Sequence, residues 1–100
     1  MLFMDEKDWI TNIYVLYRMA QYLERTHDLS TAETLYLEAS KQAEEHLTPD
    51  SELRGKVLIG CIDFYDSLGR EQDSELMQAR LRSIARVLLD KVSKAKALSD

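Results

Sequence analysis

From Asp8 onward the apolar residues Trp9, Ile13, Leu16, Ala20 and Leu23 recur in steps of three and four, so one face of a helix ending near Thr26 is apolar. Asp5 or Asp8 can cap its start. Tyr14, Tyr17 and Tyr22 fall on other parts of that helix, where an aromatic ring must cover a neighbouring helix or wait for a partner. The segment THDLS breaks the pattern. Ser30, followed three residues later by Glu33, has the form of a capping box opening a second helix, with Asp28 as the rival cap. Ala32, Leu35, Tyr36, Ala39, Ala43 and Leu47 make the second stripe, which Thr48 and Pro49 end. The same pair can open a third helix, with Thr48 as cap and Pro49 in the first turn. Leu53, Val57, Cys61, Phe64 and Leu68 give its stripe, widened by Leu58, Ile62 and Tyr65, and Gly69 supplies a C-terminal stop. A fourth helix is expected from Glu71, with Met77, Leu81, Ile84, Leu88, Val92 and Ala95 inward, running past Lys96.

Connections this short force each helix to lie antiparallel to the next. The expected architecture is all-α: two antiparallel hairpins, one over about residues 8–47 and one over about 49–98, with a long C-terminal helix and a single helical domain over 1–100. The small residues Ala20, Ala32 and Ala39 lie where the first two helices cross, as close packing of their backbones requires.

Composition sharpens this picture. A chain of 100 residues holds one core rather than two, and three Gly with one Pro suit long helices better than a turn-rich sheet. The net charge of −5 argues against nucleic acid as a partner, since phosphate contacts need surplus Lys and Arg. The charge is uneven. Residues 1–50 carry ten acids and four basic residues, whereas residues 51–100 carry eight and nine. Arg80, Arg82, Arg86, Lys91, Lys94 and Lys96 stand together against Asp90 alone, a basic helix face that either offsets the acidic first half or docks an acidic partner or second copy. One cysteine, Cys61, excludes an internal disulfide and suits a reducing, cytoplasmic setting. MLFMDEKDW lacks the basic segment of a secretory signal, and no apolar run reaches the ~20 residues a membrane span needs.

Shifted by 42 residues against itself, the chain matches Leu16 with Leu58, Ala20 with Ile62, Leu23 with Tyr65, Ala32 with Ser74, Ala39 with Leu81 and Ala43 with Ala85, and the loop THDL falls on LGRE. On these residues the first hairpin resembles a tetratricopeptide repeat, whose signature is met by Leu16, Met19 and Ala20, Leu23, Ala32, Tyr36 and Ala39. Leu16 stands where the family has Trp, Leu23 where it has Tyr, and Pro49 arrives about five residues late. The 42-residue offset, with His46, Pro49 and Asp50 ahead of the third helix, is similar to the longer-helix subtype of kinesin light chains. The second hairpin follows the pattern in part.

The resemblance implies a right-handed stack whose first helices line a groove for a partner's peptide or helix. On this chain the outward positions of the first and third helices are Asn12, Tyr17, Gln21, Lys56, Ile59 and Asp63. The family's clamp for carboxylate tails would need Lys and Asn along both helices, and only Lys56 fits. A helical bundle that dimerises without a groove is the alternative. Two hairpins are few for a stack, so the last helix is expected to fold over the second hairpin as a cap, or else it and MLFM leave apolar surface for a second copy or further hairpins. Catalysis and cofactors are not expected. His27, His46 and Cys61 are spaced 19 and 15 apart, which matches no common zinc pattern. Cys61 reads as a small buried hydrophobe, Asp63 and Asp66 as surface acids, His27 as a turn residue, and His46 as a partner for C-terminal carbonyls.

Overall fold

The computed structural model describes residues 4–99, so Met1, Leu2 and Phe3 of the apolar start lie outside the described residues. The described chain is all-helical: α1 Glu6–Arg25, α2 Leu29–His46, α3 Glu52–Ser67 and α4 Glu71–Ser99. Each helix starts on a side chain or turn that satisfies its free N–H groups. Asp5 caps α1 in a reciprocal box with Asp8. Asp28, not Ser30, caps α2 through the Thr31 N–H. The Thr48 and Pro49 start is likewise corrected: Ser51 caps α3, and the Thr48 hydroxyl turns instead to Asp50.

The two turns inside the hairpins are built alike. After α1 the N–H of His27 reaches the Glu24 carbonyl and that of Asp28 the Leu23 carbonyl. After α3 the N–H of Gly69 reaches Asp66 and that of Arg70 reaches Tyr65. Both are Schellman closures with a left-handed residue in the pivot, at φ 65° for His27 and 70° for Gly69. The pivots are 42 residues apart, so the internal offset read from apolar positions also relates the turns. This conformation costs a side chain about 1–2 kcal/mol, part of which glycine returns through its looser unfolded chain. His27→Gly is therefore expected to stabilise the protein by about 0.5–1 kcal/mol in urea unfolding; a loss would mean that the His27 side chain makes a favourable contact.

Packing follows the stripes. Ile13, Ala20, Ala32, Tyr36, Ala39, Ala43, Leu47, Val57, Leu58, Cys61, Phe64, Tyr65, Met77 and Ile84 are buried, with Trp9, Leu16, Leu23, Leu35, Leu53, Ile62, Leu81 and Leu88 packed against them. Helices α1 and α2 form one hairpin and α3 and α4 the other; α2 joins them along α3, and α1 also approaches α3. Among the described residues the backbone of α4 does not come close to that of α1 or α2, so the four helices do not close on one barrel-like core. The result is a slab of 53 × 41 × 17 Å. Its radius of gyration of 15.4 Å exceeds the roughly 13 Å of a compact chain this long.

Three contacts lock the hairpins. The guanidinium of Arg70 holds both oxygens of Glu33 at 2.9 and 3.0 Å while its Nε donates to Asp73 at 2.9 Å. The Tyr65 hydroxyl donates to the same Glu33 at 2.7 Å, beneath the Arg70 guanidinium, which lies 4.8 Å from the ring centre. Hydrogen bonds from Arg70 and then Tyr65 hold the Glu33 carboxyl below its ordinary range. At the other end Arg54 donates to the Leu47 carbonyl at 3.1 Å. His46 does not serve the helix carbonyls as expected: its ring lies flat on Trp9, with centroids 3.5 Å apart and planes 6° from parallel, tying the end of α2 to the start of α1.

The fourth helix departs from expectation beyond Leu88. Val92 and Ala95 are exposed, as are Leu89 and Leu98, because α4 has 29 residues against 16 in α3 and outruns its partner. It does not fold back as a cap.

Candidate functional site

The parallel helices α1 and α3 leave a groove of about 730 Å³ between them. Tyr17, Arg18, Gln21, Glu24 and Arg25 come from α1, and Glu52, Gly55, Lys56, Ile59, Gly60 and Asp63 from α3, while Tyr36 reaches in from α2. Heptad-like spacing explains both walls, since residues three and four apart share a helix face. Of the expected site residues, Tyr17, Gln21, Lys56, Ile59 and Asp63 line this groove. Asn12 does not. Its amide donates to Gln42 of α2 at 2.6 Å, because five residues before Tyr17 places it on the side of α1 turned to α2.

The floor is aromatic. The Tyr17 and Tyr36 rings meet edge to face at 6.2 Å, and Tyr36 continues to Phe64 at 5.0 Å. Tyr17 can lie this low because Gly60 faces it: a Cβ built on Gly60 would stand 2.6 Å from Tyr17 Cε1. Gly60 thus sets how closely α3 approaches α1. Gly55, further along the same wall, has open space where a side chain would be, so there α3 presents bare backbone to the groove.

The rim is polar and charged. Arg18 donates to Gln21 at 3.3 Å, and Gln21 donates to the Tyr17 hydroxyl at 3.0 Å. The Tyr36 hydroxyl donates to Glu24 at 2.7 Å. Burial pushes both phenols above their ordinary range, and for Tyr36 the bond to Glu24 adds to the rise, so both remain neutral donors at physiological pH. Arg18, Arg25 and Lys56 face Glu24, Glu52 and Asp63, three charges of each sign. Such a lining selects neither strongly acidic nor strongly basic ligands. It suits a segment with apolar residues for Ile59 and the tyrosines and mixed charges along its edges. Sequence reasoning missed Arg18, Glu24 and Arg25, which flank Gln21 at three or four residues, Glu52 on the facing wall, and Tyr36, which reads as core from its own helix alone.

The remaining candidates lie elsewhere. Arg80, Arg82, Arg86, Lys91 and Lys94 are all exposed, but they do not share one face. At 3.6 residues per turn Arg80, Lys91 and Lys94 fall on one side of α4, and Arg82 and Arg86 on another. Lys94 pairs with Asp90 at 3.3 Å. Arg80 borders a smaller cleft of about 220 Å³ between α2, α3 and α4, lined with Arg54, Leu58, Ile84 and Val87. Cys61 is fully buried with its sulfur 3.7 Å from the Tyr36 carbonyl, and burial pushes its thiol up to about 12. Native protein at neutral pH should therefore not react with a disulfide reagent until it unfolds; prompt labelling of folded protein would contradict this burial. No helix among the described residues is long and apolar enough to cross a membrane.

Comparison with known proteins gives no match, whether to family models, curated sequences or solved structures.

Proposed function

We propose that this protein is an interaction module of tetratricopeptide type that binds an amphipathic peptide or helix of a partner protein in the groove between α1 and α3. The observation that carries the reading is the convergence of Tyr17, Gln21, Lys56, Ile59 and Asp63 on one open groove with an aromatic floor. Support also comes from the 42-residue offset that relates both the apolar stripes and the two left-handed turns. A preformed groove between rigid helices needs little ordering when a helical ligand binds. A closed dimerising bundle is the weaker reading, because the four helices leave one side open. No catalytic step belongs to the proposal, and the buried reduced thiol of Cys61 fits a cytoplasmic protein.

Selection of a displayed random-peptide library against the wild type and against Gly55→Trp tests this. The tryptophan fills the groove without meeting atoms of the fold at its Cβ. Peptides enriched on the wild type should lose at least about tenfold in affinity on Gly55→Trp. Equal binding to both would place the binding surface elsewhere and overturn the reading.

A further inference from the structure

Helices α2 and α4 both line the cleft of about 220 Å³ above α3, and their backbones stay apart on either side of it. Buried Leu58 of α3, with Ile84 and Val87 of α4, gives the cleft an aliphatic side. The polar groups around it lack partners of their own. Ser40 of α2 lines the cleft and is only 4% exposed, yet its hydroxyl makes no hydrogen bond among the described residues. Other hydroxyls on these helices bond back to a carbonyl one turn earlier, as Ser83 does to Ala79 and Thr34 to Ser30. No enclosed polar side-chain atom among the described residues is unbonded, so the Ser40 hydroxyl is open to the cleft rather than sealed under it. A hydroxyl so placed costs stability until something arrives to accept from it.

Arg80 of α4 and Glu44 of α2 border the same cleft and form no hydrogen bond or ion pair among the described residues. Burial raises the Cys61 thiol and the Arg80 charge opposes that rise, so Arg80 stands near Cys61, whose sulfur rests on the Tyr36 carbonyl one turn before Ser40. Arg54 donates to the Leu47 carbonyl, about one turn beyond Glu44. Arg80 and Ser40 therefore form one end of the cleft and Arg54 and Glu44 the other. Ile84 and Val87 follow Arg80 by one and two turns and lead from the first end toward the second.

We propose that this cleft binds a small monocarboxylate with a short aliphatic tail, its carboxylate on the Arg80 guanidinium and the Ser40 hydroxyl and its tail along Leu58, Ile84 and Val87. A guanidinium presents paired N–H donors to a carboxylate, and the hydroxyl supplies a third. Phosphate and other dianions suit the cleft less well, because Glu44 adds a negative charge at the far end. A volume of about 220 Å³ is that of about seven waters, below the roughly 300–1,000 Å³ of sites for drug-sized ligands, so the ligand has the bulk of leucine or of its deaminated counterpart. The cleft shares no lining residue with the groove between α1 and α3.

Titration of the full chain, labelled at its isoleucine methyls, with sodium 4-methylpentanoate against sodium chloride of equal ionic strength tests the proposal. A saturable shift is expected at Ile84, with Ile59 in the separate groove still. The amide 4-methylpentanamide keeps the tail without the charge and should bind at least about tenfold more weakly, as should the acid on Arg80→Gln, an exposed position. Ser40→Ala should also weaken the acid about tenfold while leaving the thermal midpoint of the unliganded protein unchanged or higher, because it removes a buried hydroxyl that has no partner. A serine of merely structural value would lower the midpoint and leave the affinity alone. Leucine in the same titration separates the two sources of the ligand: binding tighter than that of the acid assigns amino acids, with the ammonium on Glu44, and weaker binding assigns plain carboxylic acids. Absence of a saturable shift at Ile84, equal binding of the amide, or an affinity unmoved by either variant overturns the proposal.

Discussion

Phe64→Ala lowers the unfolding free energy by about 3–5 kcal/mol, while Tyr22→Ala in dilute solution changes it by about 0.5 kcal/mol or less. The two aromatics occupy matching places 42 residues apart, yet Phe64 is 1% exposed and Tyr22 58%. Truncating Phe64 removes a ring that touches both Tyr36, at 5.0 Å, and Tyr65, at 5.5 Å, and leaves a cavity where the hairpins meet. Truncating Tyr22 removes a ring that is mostly in water. Urea titrations at low protein concentration measure both. A domain of this size has a stability of roughly 5–15 kcal/mol, so the Phe64 loss takes a large share of it. Equal effects would mean that the two hairpins are not held by this face.

Ala39→Leu should destabilise by about 1–3 kcal/mol, the cost of forcing a larger side chain into a filled core. Ala20, Ala32 and Ala39 are all fully buried and Ala43 nearly so, which is the pattern of two helices whose backbones approach closely. Leucine at position 39 has no room unless α1 and α2 separate. The second hairpin carries Leu81 at the matching place, where the side chain is only partly buried. Thermal unfolding checks the prediction, with a midpoint about 4–8 °C lower for each kcal/mol lost. An unchanged midpoint would show that the crossing is loose.

Much of this structure is legible in the sequence because it rests on short-range periodicity. The stripes of α1, α2 and α3 follow directly from residues three and four apart, and Gly69 announces its own turn. What periodicity does not carry is what long-range packing decides. Glu33 sits at the right distance from Ser30 for a capping box, but the left-handed turn at His27 makes Asp28 the cap, and Glu33 is drawn to Arg70, which is 37 residues away. Val92 and Ala95 continue the stripe of α4, but only the length of α3 decides where that stripe runs out of partner. Trp9 has its explanation in His46, a stacking partner at the far end of the next helix. The groove follows only from the tetratricopeptide resemblance, which implies one along the outward positions of α1 and α3, and its floor is not legible even so, because Tyr36 enters it from α2. Lys56, Ile59 and Asp63 could be assigned together because they share one face of a single helix, whereas Asn12 required knowing which side of α1 the second helix covers.

The most direct test of the groove uses the five isoleucines, Ile10, Ile13, Ile59, Ile62 and Ile84, as methyl probes in an NMR titration with a library-selected peptide. Ile59 lines the groove, Ile13 is buried in the first hairpin, and Ile84 borders the smaller cleft between α2, α3 and α4. Binding between α1 and α3 predicts a large, saturable shift at Ile59 with Ile13 and Ile84 nearly still. A shift at Ile84 with Ile59 unmoved would contradict it and assign the binding surface to the opposite side of the slab.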